Sequence, residues 1–437
     1  MTKIAILGTG PLPIEQDNYI YSSSNRTWQI AKALLEEGHR VHVISFRPTR
    51  TKDGVRINDT ELRQYSEGEF TLDSVEELTH FRNDGFLRDR IEASGSEAVV
   101  GVNVFPASRS AALEPAIPFW ADMNGFGMGE VQIRGFLTGN NQAVAQGWAD
   151  ELPCLVRADC FSSASGPQRY ALIGELAAIG RLRPETCGYE FVHVIPEGRE
   201  DPPPSGVRPT VLDQLPEGAQ IALWVGCYNY QFDTDTLFEG MERAMDRSAN
   251  LHFVSTGGQV DGHNETTFAR FKKQVDGSRH KDRFHFVGWL PWDEFDGLLR
   301  TAHLGVTLDI PCYETEIGAR NRITEMMRVG LPVLSTRGPE ISWDLEKHSA
   351  GWLVDFSDPD QLEERLVEAL SDPAELERRA KNSRKVFEKF YTLSAATAPL
   401  LAWAKNPQFA PDRGMRPLLL PEYSKPEKRG WLKGWLG

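Results

Sequence analysis

Residues Tyr313 to Thr336 read YETEIGARNRITEMMRVGLPVLST. Glu314, Thr315 and Gly318 suit a loop, whereas Arg320 to Val329 is a series of good helix formers that Gly330 stops. Leu331 to Thr336 then runs apolar and β-branched without alternation, as a parallel strand covered on both faces does. A loop that opens a helix beside such a strand presents free N–H groups to an anion. Arg320 and Arg322 sit at that opening, with Glu325 one turn further in.

Arginine suits a diphosphate because its planar fork donates two hydrogen bonds and keeps its charge when partly desolvated. A carboxylate one turn away suits a vicinal diol, so the set reads as phosphate plus ribose. A plainer reading makes Arg322 and Glu325 an i, i+3 ion pair on a solvated helix face, worth a few tenths of a kcal/mol.

The run ETEIGARNRITEMMRVGLPVLSTRG resembles the donor-site segment of the glycosyltransferase family 4 enzymes, in the bacterial branch where an arginine pair precedes the helix and GLP follows it. Glu325 falls on the second Glu of that family's E-x7-E pattern. The first Glu falls on Ile317, a departure, with Glu314 and Glu316 beside it as substitutes. SNRTWQIAKALLEEGHRV, PFWADMNGFGMGEVQ, WVGCYNYQFDTDTLFEG and FHFVGWLPWDEFDGLL look like further recurring segments of the family, in order.

The resemblance implies two facing Rossmann-like lobes with a cleft between them, the GT-B fold. It also implies an enzyme that moves a sugar from a UDP- or GDP-linked donor, with retained configuration, to a glycan, lipid-linked or other glycoconjugate acceptor, as in bacterial polysaccharide biosynthesis. A sugar-nucleotide epimerase or hydrolase on the same fold, or a binding protein without catalysis, is the alternative. The nucleotide sugar is a co-substrate, and no cofactor is expected.

At 437 residues the chain is long enough for two cores. The net charge of −14 argues against a nucleic-acid surface, because phosphate backbones are held by clustered Lys and Arg. The five cysteines are scattered, without metal-ligand spacing, as in a reduced cytoplasmic protein. MTKIAILGTG enters a strand at once, and neither a signal peptide nor a spanning segment is read.

Strands are expected at Lys3 to Gly8, Val41 to Ser45, Ala98 to Phe105, Pro118 to Met123, Cys160 to Ser165 and Phe191 to Ile195. Asn25 caps a helix ended by Gly38, a helix is expected within Glu67 to Glu92, and another over Gln168 to Ile179. The alternation defines a doubly wound α/β half over residues 1–200. The proline-rich PEGREDPPPSGVRP is the linker. A second half, 201–392, repeats the pattern with strands at Ile221 to Gly226, Asn250 to Ser255, Phe284 to Gly288, Leu304 to Asp309, Leu331 to Ser335 and Gly351 to Val354. By resemblance, 393–406 is a helix crossing back to the first lobe.

Ligands in such folds lie at the carboxyl ends of the strands. Gly10, after the first strand, and Asp122, Asn124 and Gly125, after the fourth, line the acceptor side; Asp122 and Asn124 join Arg320 and Arg322 as catalytic candidates. On the donor side Gly226 lets backbone approach a diphosphate, and Gly318 opens the arginine helix. By the resemblance, Trp289 and Leu290 lie against the nucleobase, and Glu316 with Glu325 faces the sugar and ribose; the plainer reading makes the loop tryptophans lids on a core. Relatives place an Arg soon after the equivalent of Gly226, where Cys227, Tyr228 and Asn229 stand here; the pair Arg320 and Arg322 supplies that charge. Asp233-Thr234-Asp235 matches DxD but opens a helix, so it reads as an N-cap and no metal is expected. His193 in FVHVIP reads as a core residue. Within the tail 407–437, KPEKRGWLKGWLG (425–437) is net basic with interleaved Trp and Leu, which suits peripheral contact with an anionic membrane at its inner face; a disordered tail, or one docked on the protein itself, is the plainer reading.

Overall fold

The computed structural model describes residues 1–15, 21–48, 60–260 and 264–415. The basic tail therefore lies outside the described residues, as does most of the polar loop after Glu15. Two sheets carry the fold. The first holds β1 (Lys3–Thr9), β2 (Arg40–Arg47), β3 (Arg63–Glu67), β4 (Phe70–Glu76), β5 (Ala98–Val102), β6 (Phe119–Asp122), β7 (Cys160–Ser163) and β8 (Val192–Val194). Their order is β3-β4-β2-β1-β5-β6-β7-β8, parallel except for β3 against β4. The second holds β9 (Gln220–Trp224), β10 (Leu251–Thr256), β11 (Phe284–Gly288), β12 (Leu304–Thr307), β13 (Val333–Thr336) and β14 (Gly351–Val354). Its order is β11-β10-β9-β12-β13-β14, parallel throughout.

The central strands of each sheet are buried on both faces, which is why they read as continuous apolar runs. In β1, Ala5 and Leu7 enter one core cluster while Ile4 and Ile6 enter the other. In β9, Ala222 and Trp224 pack on one face, and Ile221 and Leu223 on the opposite one. Two strands were missed in the sequence: β3 precedes the Glu67 to Glu92 segment and β4 occupies its start, and the helix expected there is Asp84–Ser94. The strand expected to reach Phe105 ends at Val102, and Asn103, at φ 69°, turns the chain into the helix Val104–Ala112. The helices Gly127–Thr138 and Gln142–Arg157 were also not anticipated.

Two chain passages join the lobes, side by side. Arg199 forms a parallel bridge with Thr392, and its N–H donates to the Tyr391 carbonyl over 2.9 Å. The helix Leu393–Ala404 then returns to the first lobe, where Leu400, Leu401 and Ala404 pack with Ile30, Ala31 and Leu34 of the helix Ser22–Glu36.

Glu151 and Glu175, on adjacent helices of the first lobe, form a carboxyl pair pushed above the usual carboxylate range. Burial is the main cause for both, and the charge of Glu175 adds for Glu151. A raised carboxyl pKa means that the folded chain binds more protons than the unfolded one, so stability falls as pH rises from the ordinary carboxylate range. The thermal midpoint should decline between about pH 5 and about pH 8, and Glu175→Gln should flatten that decline. Equal slopes for the two proteins would show that the pair does not share a proton.

Candidate functional site

The donor-side segment folds around Arg320. Residues Tyr313–Ile317, expected as loop, form a short helix, and the helix Asn321–Arg328 follows after a break at Gly318. Tertiary bonds override the local preference here. Arg320 Nε donates to Asp309 Oδ1 at 2.8 Å, Nη1 to Glu314 Oε1 at 3.0 Å and Nη2 to Glu314 Oε2 at 2.9 Å. Nη1 also reaches the Ala319 carbonyl at 3.1 Å, and Nη2 reaches Thr315 Oγ1 at 3.2 Å. A guanidinium has five donor hydrogens, and all five are used. Arg320 is only 4% exposed, so the expectation that it binds phosphate is corrected: it braces the segment.

Arg322 is the arginine left for a ligand. Its Nη2 donates to the Cys227 carbonyl at 2.7 Å, and its Nη1 is buried with no partner. The guanidinium carbon lies 3.9 Å from the Phe232 ring centre and 4.5 Å from that of Trp224. Burial pulls its pKa down to about 10, which leaves it charged at neutral pH. The position after Gly226 that lacks an arginine in sequence is thus filled in space by Arg322.

Three turns lie at the carboxyl ends of the adjacent strands β9, β10 and β11. Gly226 and Gly257 have φ of 87° and 79°, a region that favours glycine. They touch so closely that a Cβ on Gly257 would stand 2.5 Å from the Gly226 carbonyl. The Gly257 N–H also donates to the Gly288 carbonyl at 2.7 Å. Gly257 and Gly258 escaped the sequence reading, although Ser-Thr-Gly-Gly at a strand end was a visible signal. Trp289 and Leu290 follow Gly288 on this rim, with Trp289 37% exposed.

Glu325 meets arginines rather than open solvent. Its Oε1 accepts from Arg328 Nε at 2.6 Å and its Oε2 from Arg199 Nε at 3.1 Å, which ties the helix to the interlobe passage. Arg322 is not its ion-pair partner. Each oxygen retains lone-pair capacity for a further donor. Glu316 is exposed, and Gly318 is buried with its N–H bonded to the Glu314 carbonyl at 2.8 Å.

On the first lobe, Asp122 does not line the cleft. It is fully buried, paired with Arg26 through bonds of 2.7 and 3.0 Å, and accepts from Ser162 Oγ at 2.6 Å. Gly10 is likewise closed off: its N–H donates to the Phe46 carbonyl at 2.8 Å, and a Cβ would meet Ser45 Oγ at 2.9 Å. Asn124 is half-buried, its Nδ2 donating to Asn103 Oδ1 at 3.2 Å. His193 stacks on Trp120 with ring centres 5.2 Å apart, and burial lowers its pKa.

Asp233 caps its helix, accepting from the Thr236 N–H at 3.0 Å, while Asp235 pairs with Arg270 at 3.3 Å. No group of three or more potential metal ligands occurs among the described residues. No helix among them is long and apolar enough to cross a membrane.

The lobes meet at the donor segment. Ser165 Oγ bonds the Ile317 carbonyl, and the Gly166 N–H donates to Glu340 Oε2 at 2.8 Å. A Cβ on Gly129 would lie 3.0 Å from Glu314 Cα.

Two α/β lobes facing each other over this segment define the GT-B class of glycosyltransferase fold. Residues 219–372, within the second lobe, match the family model for glycosyl transferases group 1. The whole fold is similar to that of sucrose-phosphate synthase from Thermosynechococcus elongatus (TM-score 0.66, 17% identity, covering 93% of this chain and 98% of that one). An α,α-trehalose-phosphate synthase (UDP-forming) from Burkholderia xenovorans, solved with glucose-6-phosphate, gives TM-score 0.68 at 12% identity over 92% of this chain and 100% of its own. The Anabaena protein HepE, solved with UDP and glucose, gives 0.61 at 12% over 93% and 100%. No curated protein matches the chain by sequence.

Removing Arg320 would leave Asp309 and Glu314 buried without their cation, a loss of about 3–5 kcal/mol for a broken buried pair. Arg320→Ala should therefore lower the denaturant midpoint strongly, while Arg322→Ala, which unpairs no carboxylate, should leave it nearly unchanged. A stable Arg320→Ala protein would overturn the bracing role.

Proposed function

We propose that this chain transfers a sugar from a nucleotide-sugar donor, held on the second lobe, to a hydroxyl of a glycan or lipid-linked acceptor on the first. The observation that carries this reading is Arg322, a partly desolvated cation with an unused Nη1, beside the glycine turn at the end of β9. A diphosphate laid on that turn would meet the guanidinium and backbone N–H groups together.

The enzyme chiefly stabilises the charge that develops on the leaving diphosphate. A preformed cation does this at no reorganisation cost, and losing one such donor raises the barrier by about 3 kcal/mol, roughly a hundredfold in rate. Asp122, buried away from the cleft, is locked to Arg26, and His193 is stacked on Trp120, so neither is free to take the acceptor's proton. The acceptor's proton accordingly passes to the departing phosphate, on the same face, and configuration is retained. No divalent metal takes part, because the first Asp of DxD serves as a helix cap and the second pairs with Arg270.

The test is a panel of UDP-, GDP-, ADP- and TDP-sugars against the wild type and Arg322→Ala, read by thermal midpoint and by release of free nucleotide. Binding raises the midpoint by mass action. One nucleotide class should stabilise the wild type and not the variant, and nucleotide should be released only when acceptor is present. Release without acceptor would identify a hydrolase or epimerase, and binding without any turnover a binding protein. A midpoint shift unchanged in Arg322→Ala would remove Arg322 from the site.

A further inference from the structure

A groove of about 660 Å³ lies on the first lobe. One wall is the helix Ser22–Glu36, where Trp28, Lys32 and Leu35 follow at spacings of four and three and so share a face. The other wall is the edge strand β3, with Gln64, Tyr65 and Glu67. Phe70, buried at the start of β4, forms the floor, and its ring meets that of Trp28 edge-on at 5.9 Å between centres. From Trp28 to Leu35 the helix rises about 10 Å, and from Gln64 to Glu67 the strand does the same, so the walls match in length. Ile14, a further lining residue, sits in the turn Pro13–Glu15 beyond β1. The groove thus reaches the carboxyl end of the sheet, the end at which such folds bind ligands.

The lining has the chemistry that recognises carbohydrate. Trp28 and Tyr65 are half-buried, so each ring keeps part of its surface open. The indole is held in place by Phe70 and by its Nε1, which donates to Glu200 Oε2 at 2.8 Å. The C–H face of a pyranose buries against such a ring, and its slightly positive hydrogens meet the negative π face. Sugar hydroxyls need donors and acceptors together: Lys32 donates, Glu67 accepts, and the outer backbone groups of β3, which pairs only with β4, do both. The charges of Lys32 and Glu67 cancel, which suits a neutral ligand. A peptide strand added to β3 would be the competing occupant, but Glu67 and Glu69 at the exposed end of the strand oppose such pairing.

We propose that this groove binds a neutral oligosaccharide, with Trp28 and Tyr65 as its platforms, and that the bound stretch is part of the acceptor glycan distant from the hydroxyl that receives the sugar. The role as acceptor holder rests on the transfer reading above; the binding of glycan does not. A chain held at a second point keeps its reacting end at a raised local concentration, so a weak contact at the cleft suffices.

The experiment is calorimetric titration of the full chain, without nucleotide, against maltohexaose, cellohexaose, N-acetylchitohexaose and hexagalacturonic acid. A neutral hexasaccharide should bind the wild type and bind Tyr65→Ser about tenfold more weakly, as the loss of one stacked ring predicts, while Tyr65→Phe keeps the affinity. Lys32→Glu, which leaves both rings in place, should weaken it as well, so the test stands even if Tyr65→Ser unfolds. Arg322→Ala should bind the sugar as the wild type does. No binding of any neutral hexasaccharide, or equal affinity in Tyr65→Ser and Lys32→Glu, would overturn the proposal. Loss of binding in Arg322→Ala would overturn it by placing the sugar in the cleft, and hexagalacturonic acid bound as tightly as a neutral chain would overturn the neutral class. A capped hexapeptide of alternating threonine and valine that binds in place of the sugars would assign the groove to strand pairing instead. A wild type that binds a hexasaccharide but no nucleotide would uphold the groove and overturn the transfer reading.

Discussion

The site depends on one buried guanidinium. Arg320 joins the end of β12 through Asp309, the short helix through Glu314 and Thr315, and its own chain through Ala319. Burying an arginine is unfavourable unless its charge and all its donors are satisfied, and here two carboxylates and two further oxygens do so. The bend between the helices Tyr313–Ile317 and Asn321–Arg328 follows from that requirement. Once the bend is set, Arg322 is directed to the Gly226 turn and Glu314 to the opposite lobe, so cation, glycine turn and interlobe contact share one cause.

A second arginine does comparable work for the first lobe. Arg26 reaches Asp122 on β6 and the carbonyls of Ile195 and Pro196, where the chain leaves for the second lobe. Arg199, three residues on from Pro196, engages Glu197 and Glu325. The passage between lobes is therefore clamped at both ends by charge-assisted bonds, while the cleft face is closed by two hydrogen bonds, Ser165 to Ile317 and Gly166 to Glu340. Charge-assisted bonds thus hold the passage between the lobes, and neutral and single-charge hydrogen bonds hold the donor segment against the first lobe.

What the sequence disclosed follows the same physics. All six strands of the second sheet were legible because a parallel strand buried on both faces must be an apolar run. The hairpin of β3 and β4 was not, since RQYSE and FTLDSVE are polar at many positions and lie at the sheet edge. The helix Asn321–Arg328 and its arginines were equally plain, but their division of labour was not. Arg320 and Arg322 differ by two positions and not at all in chemistry; only the fold reveals that one meets two carboxylates and the other meets aromatic rings and a carbonyl. Asp122 misled for the complementary reason: a carboxylate at a strand end looks catalytic until its arginine, 96 positions away, is seen.

The contrast between the two donor-segment arginines bears on how an acidic chain handles an anionic substrate. A net charge of −14 repels a diphosphate at long range, so affinity has to be generated locally. The charge of Arg322 is set against the faces of Trp224 and Phe232 rather than cancelled by a carboxylate. Its nearest acid, Asp309, is already bonded to Arg320, which absorbs a negative charge that would otherwise compete with the ligand. The saturated arginine thus takes up the nearby carboxylate charge and leaves Arg322 Nη1 without a protein partner.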